Sequence, residues 1–278
     1  MEPGTSIGDY ALVERVHEGA ISEVFRAEKD GRTHAIKILT ARSDEQRERL
    51  MLEGRTLTML RHPNLVPVTD LVFTGNRAGI VMDWLSGPTL DVWADAKPDF
   101  DRVERVLRGL MDGVERLHKA NLVHRDLNPT NVIIVGSGKA EVARIVDLGS
   151  IKKRTLAMTR PGTMIGTRGY MAPEQIQGAE VDARTDVFGL GCLLYRMSCG
   201  RGPFDAPTDL SSFEAVAAGE YLDPRSVRSD LPTRLARVIK MCLATAPDER
   251  PQNVDAIRGL MRRSMFGGGR RKRKRLTG

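Results

Sequence analysis

The sequence predicts an α+β fold in two lobes: a small β-rich N-lobe with one key helix, then a larger α-helical C-lobe. Three observations carry this. Short β-prone runs fill the first third of the chain, at residues 10–17, 22–28, 33–39 and 79–85. Apolar residues at Val103, Val106, Leu107, Leu110, Met111, Val114 and Leu117 then recur at spacings of three and four, the stripe of an amphipathic helix. The length, 278 residues, lies where a single core stops growing, at about 250–300 residues, and so favours two lobes.

Each element has a local reason. Residues 10–17 and 22–28 flank Glu18-Gly19-Ala20, and 33–39 follows the turn Lys29-Asp30-Gly31. Residues 43–60 are charged and helix-prone, with an apolar side at Leu50, Leu57 and Leu60. That helix is expected to stop before His62-Pro63-Asn64, because proline biases its predecessor out of the helical region. Residues 79–85 read as a buried strand, and 132–135 and 142–146 as two further β-prone runs. Residues 186–197 are apolar nearly all round, as expected of a helix at the centre of a lobe. Further helices are expected at 235–243 and 254–261, and no internal repeat is visible.

Composition excludes several classes. Hydrophobic residues make up 41% and charged residues 28%, close to a globular average, which argues against disorder and fibrous chains. The net charge is +7, but Arg270, Arg271, Lys272, Arg273, Lys274 and Arg275 supply six of those charges. Without that run the chain has 37 basic against 36 acidic residues, so the basicity belongs to the tail and not to the body. The three cysteines, Cys192, Cys199 and Cys242, show no CxxC spacing, which disfavours a zinc cluster or a disulfide framework and fits a reducing compartment. The opening residues read as no signal peptide, and no apolar run reaches the ~18 residues of a membrane span.

Four chemistry-bearing stations follow in order. Lys37 ends the run His34-Ala35-Ile36-Lys37, and Glu53 lies on the following helix. Alone, each reads as an ordinary solvated residue; together, they could form an ion pair that holds an ammonium over a phosphate. His124-Arg125-Asp126-Leu127-Asn128-Pro129-Thr130-Asn131 sits between a helix and a strand. It offers a carboxylate for a hydroxyl proton and an amide oxygen for a hard cation. Asp147-Leu148-Gly149 is either a simple turn or a second hard-cation ligand at a strand end.

With Ala172-Pro173-Glu174 added, the chain resembles the eukaryotic-type (Hanks-type) serine/threonine protein kinase domain, the kind also found in bacteria. The likeness runs from about Gly8 to about Met265. It implies the bilobal protein-kinase fold over 1–266, with the N-lobe at about 8–82, a hinge at 83–86 and the C-lobe at about 87–266. A glycine-rich and polybasic tail, 267–278, is expected to be disordered. The implied activity is transfer of the γ-phosphate of ATP, with Mg²⁺, to serine or threonine hydroxyls of protein substrates.

The resemblance assigns roles by position. Lys37 holds phosphates and pairs with Glu53, Asp126 orients the hydroxyl, and Asn131 and Asp147 hold Mg²⁺. Gly19 belongs to the phosphate loop, and Val24, Ala35 and Ile133 enclose adenine. Met82 is the gatekeeper, and Asp83 to Leu85 form the hinge that meets the adenine edge. Leu57, His124 and Leu148 stack as a regulatory spine, Asp186 braces the catalytic loop, and Glu174 and Arg250 form a buried ion pair.

The chain also departs from the pattern. His17 and Ser22 stand at two glycine positions of the phosphate loop, and Asn128 stands where the family carries lysine. The serine/threonine class therefore rests on Gly166-Thr167, upstream of Glu174. Two functional classes stay open, an active kinase and a pseudokinase scaffold. The five residues Lys37, Glu53, Asp126, Asn131 and Asp147 favour the enzyme, while a small-molecule kinase is disfavoured by the 172–174 segment and Asp186. Autophosphorylation is expected at Thr159 or Thr163, with Thr155 a third acceptor and a dimer a route to it. The tail is read as a solvated end, or as a contact with anionic membrane or an acidic partner, with nucleic acid disfavoured. The expected setting is cytoplasmic, or the inner face of a membrane if the tail meets lipid.

Overall fold

A computed structural model describes residues 1–19, 22–40, 44–147, 152–153 and 169–263, with the side chains at 44–47, 49–50, 52–53, 152–153 and 263 left out. In chain order the elements are β1 (Ser6–Ile7), β2 (Tyr10–Glu18), β3 (Ser22–Lys29), β4 (Arg32–Thr40), α1 (Asp44–Met59), β5 (Val68–Thr74) and β6 (Arg77–Asp83). Then come α2 (Leu90–Asp95), α3 (Phe100–Lys119), β7 (Leu122–Val123), β8 (Val132–Val135), β9 (Val142–Ile145) and β10 (Lys152–Lys153). The last are α4 (Pro173–Ile176), α5 (Ala183–Cys199), α6 (Asp209–Ala218), α7 (Pro224–Val227), α8 (Thr233–Cys242) and α9 (Val254–Arg263). The α+β class is as expected. Packing groups the chain into two units: Met1–Ala96 with Glu104–His124 and Pro129–Leu156, and Lys97–Val103 with Arg125–Asn128 and Ala157–Gly278.

The first unit is built on a six-stranded sheet in the order β1-β2-β3-β4-β6-β5. Its registers sort the side chains. Phe25 lies opposite Ile36, and Ile36 opposite Val81; these three join Ile7, Leu12 and Ile38 in one buried cluster. A strand alternates with period two, so the neighbours of those residues face the other way. On that second face, Val24 lies opposite Lys37, and Ala35 opposite Met82. Strand β5 was not anticipated. Its register shifts between Val68 and Asp70, which breaks the alternation that would have marked it.

Helix α1 stops at Met59, ahead of Pro63, as the proline predicts, and Leu57 and Leu60 are buried. All seven apolar positions of the α3 stripe are buried. His62-Pro63-Asn64 does more than end a helix. The backbone N–H of Asn64 donates to His62 Nδ1 at 3.2 Å, and its side-chain amide donates to the Ala143 carbonyl on β9 at 2.9 Å. Ile145 N–H donates to the Asn64 carbonyl at 2.9 Å, so this one residue fastens the strand that leads to Asp147.

In the second unit, every residue of α5 from Thr185 to Ser198 is buried, matching its all-round apolar sequence. Phe188 stacks on Phe204 at 5.8 Å, and Tyr221 meets Phe204 edge-on at 5.6 Å. Helix α5 also needs Gly189: a Cβ there would lie 2.8 Å from Leu127 Cβ, closer than packing allows. The cysteines are unpaired thiols. Burial pushes Cys199 and Cys242 up to about 12 and Cys192 well above its ordinary value. Among the described residues no helix is long and apolar enough to cross a membrane.

His62 carries a pH signature. Burial holds its imidazole below the ordinary value, helped by the Arg116 charge and opposed by Asp112 and Glu115. The unfolded chain therefore takes the proton first. The stability due to His62 is complete above about pH 6.5 and declines below it, until the folded ring also protonates. Melting temperatures at pH 7.5 and 5.5 should show a smaller acid loss in His62→Asn, which keeps an acceptor for the Asn64 N–H but cannot titrate. An equal loss in both proteins would reject this account.

Candidate active site

In the first unit, the Lys37 ammonium meets the Asp147 carboxylate. Lys37 is buried, and an unpaired ammonium there would be costly, so the carboxylate sets where it points. Asp147 has φ 55°, in the left-handed region that non-glycine residues seldom occupy. The preceding backbone holds it there: Val146 N–H donates to the Asn131 carbonyl at 2.9 Å, and Val66 N–H to the Ile145 carbonyl at 2.9 Å. Val146 thereby joins the Asn131 turn to the Asp147 strand. His124, fully buried, places Nε2 at 3.4 Å from the Val146 carbonyl. The sheet face above carries Val24, Ala35, Lys37 and Met82 together. Strand β8 bridges Thr89 at Ile133, and Gly19 N–H closes the β2–β3 turn on the Ser22 carbonyl at 2.9 Å. Asp83 is exposed, and Leu85 half-buried.

Asn131 and Asp147 offer an amide and a carboxylate, hard oxygen donors of the kind Mg²⁺ accepts alongside water and phosphate oxygens. They fit Mg²⁺ as a metal shared with a nucleotide. Among the described residues no cluster of three or more histidine, cysteine or acidic side chains forms a self-sufficient metal cage.

In the second unit, the loop 125–128 is gripped from two sides. Arg125 N–H donates to Asp186 Oδ1 at 2.9 Å, and Gln175 Nε2 donates to the Arg125 carbonyl at 2.7 Å. Arg125 sits at φ 71°, a strained conformation for arginine, and its backbone N–H and carbonyl are both held by these bonds. Asp186 thus does what the resemblance implied. Gln175 was not anticipated, although it lies next to Glu174 in the quoted motif. Asn128 is fully buried and donates from Nδ2 to Asp126 Oδ1 at 2.9 Å.

Glu174 and Arg250 form the expected pair. Arg250 Nη1 and Nη2 donate to the two Glu174 oxygens at 2.8 Å each. Its remaining donors reach the carbonyls of Ala244 at 2.7 Å, Thr245 at 2.8 Å and Arg184 at 3.1 Å. Thr185 Oγ1 donates to Glu174 Oε1 at 2.7 Å, and the guanidinium lies over the Phe188 ring at 4.9 Å.

Several expected residues fall outside the described ones: the side chains of Glu53 and Leu50, and Leu148, Thr155, Thr159, Thr163, Gly166, Thr167 and the tail 267–278.

The ordered series of a lysine strand, an HRD-type loop, a carboxylate at the next strand end and a braced Ala-Pro-Glu segment matches the family model "Protein kinase domain" over residues 10–260. The chain belongs to the protein kinase domain family. Among its relatives is the "DNA damage-responsive serine/threonine-protein kinase RqkA" of Deinococcus radiodurans, 35% identical over 92% of this chain and 40% of that protein. "Tyrosine-protein kinase MasK" of Myxococcus xanthus is 33% identical over 90% of this chain and 42% of that protein. "Serine/threonine-protein kinase PkaA" of Streptomyces coelicolor is 32% identical over 88% of this chain and 46% of that protein. The kinase domain therefore spans less than half the length of each of these relatives.

Breaking the Glu174–Arg250 pair strands a buried charge. Glu174→Leu or Arg250→Met alone should lower the free energy of unfolding by about 3–5 kcal/mol in urea titration. The double variant should recover a large part of that loss. A double variant as unstable as the sum of the two singles would overturn the reading.

Proposed function

We propose that this kinase domain transfers the γ-phosphate of ATP to serine and threonine hydroxyls of protein substrates. The observation that carries the reading is the Lys37 ammonium held on the Asp147 carboxylate, beside a sheet face displaying Val24, Ala35 and Met82. That face offers apolar contact to a purine, with residues 83–86 as the hinge, and the ammonium offers positive charge to its phosphates. Mg²⁺, held by Asn131 and Asp147, would offset the negative charge of the phosphates. The hydroxyl oxygen bonds to the γ-phosphorus as the bond to the bridging oxygen breaks; ADP leaves, and Asp126 takes the hydroxyl proton. The protein needs placement and charge more than covalent chemistry.

Two relatives bear serine/threonine names and one bears a tyrosine name, so the acceptor class is part of the test. A scaffold without catalysis is the second reading. It is favoured by His17 and Ser22, which flank the β2–β3 turn where the family has glycine. Purified protein given Mg²⁺ and labelled ATP should transfer phosphate to a generic basic protein and to itself, at Thr159 or Thr163. Lys37→Met and Asp126→Asn should lower transfer at least ~100-fold. Phosphoamino-acid analysis should find phosphoserine or phosphothreonine. Equal transfer by wild type and both variants would sink the assignment, and nucleotide binding without transfer would favour the scaffold.

We also propose a cytoplasmic setting, which the three unpaired thiols support. The run from Arg270 to Arg275 contacts an anionic membrane surface or an acidic partner. Co-sedimentation with phosphatidylserine vesicles should fall on deletion of residues 267–278 and with rising salt. Unchanged binding would reject the lipid contact.

A further inference from the structure

We propose that Asn128 is a positioning residue that orients the Asp126 carboxylate through a neutral donor. The proposal rests on the reading of Asp126 as proton acceptor. Asn128 has no exposed surface, and its Nδ2 donates to Asp126 Oδ1 at 2.9 Å and to the Asp126 carbonyl at 3.4 Å. The donor is two residues from its acceptor, on a loop whose backbone is fixed at Arg125 from both sides. Pro129 follows directly and biases Asn128 away from the helical region, which sets the approach of its side chain. A short side chain in a buried position loses little entropy in making this bond, and the bond restrains rotation of the carboxylate plane.

Where the family pattern carries an ammonium, this chain therefore carries an amide. The amide supplies orientation without charge. Asn128 thus has a role of its own and is no weaker copy of a lysine.

The signature lies in a carboxyl variant. In Asn128→Asp, the new carboxyl can imitate the amide only while protonated, because two adjacent carboxylates share one proton. Its activity should therefore rise as pH falls from 8 to 6, while the wild type stays level or declines. In Asn128→Ala, kcat should fall roughly 10–100-fold, as for other small misplacements of a reacting group, with the KM for ATP within about twofold. The assay is phosphate transfer from labelled ATP with Mg²⁺ to a generic basic protein, with melting temperature checked for each variant. If Asn128→Ala fails to fold, the pH profile of Asn128→Asp decides alone.

A silent Asp126→Ala, together with wild-type kcat in Asn128→Ala and no inverted profile in Asn128→Asp, would overturn the positioning role and leave Asp126 as acceptor. Undiminished activity in Asp126→Ala, or no transfer by the wild type, would overturn the acceptor reading and this inference with it.

Discussion

The second unit depends on one buried ion pair. Arg250 has five N–H donors and finds five oxygens: two on Glu174 and three backbone carbonyls. A buried charge needs this degree of satisfaction to persist. The pair ties α4 to the segment after α8, holds the start of α5 through Thr185 and the Arg184 carbonyl, and also fixes its own sequence neighbours. Gln175 follows Glu174, and Asp186 follows Thr185, whose hydroxyl donates to Glu174. Those two neighbours grip the Arg125 backbone, one at its carbonyl and one at its N–H. The strained backbone beside Asp126 is thus held by side chains whose own positions derive from the ion pair. Lysine could not replace Arg250, because three donors on a point charge cannot reproduce the planar fork.

The first unit solves a different problem. Period-two alternation divides the side chains between the two faces of the sheet. Phe25, Ile36 and Val81 build the core, while Val24, Ala35, Lys37 and Met82 share the opposite face. A shift of one residue in β4 would exchange Lys37 for Ile36 and set the ammonium among apolar side chains, away from Asp147. The same alternation therefore secures both stability and chemistry.

How much of this was legible depended on the range of each signal. The α3 stripe and the all-apolar α5 were visible because helical periodicity is local, and all their expected core positions are buried. Strand β5 was missed because a register shift at Asp70 disrupts its pattern. Helix α6 also went unread, although Thr208 and Ser211 form a reciprocal cap that its sequence displays. Lys37, Asp126, Asn131 and Asp147 were recognisable as motif members. Their supports were less so: Asn64 reads as a turn residue, yet its amide acts on a strand far along the chain. Gln175 and Thr185 likewise act through contacts that no spacing rule reveals. For Asn128 the position was legible, but the rotamer that directs its amide to Asp126 was not.

The cysteines have a practical consequence. Thiols held near 12 are almost wholly protonated at neutral pH, and a protonated thiol is a poor nucleophile. Maleimide dyes should pass over Cys192, Cys199 and Cys242 in the native protein. A single cysteine introduced on an exposed position, such as Val92 or Leu210, would then be the one reactive handle among the described residues. The domain offers a quiet background for fluorescent or spin labels without prior removal of its own thiols.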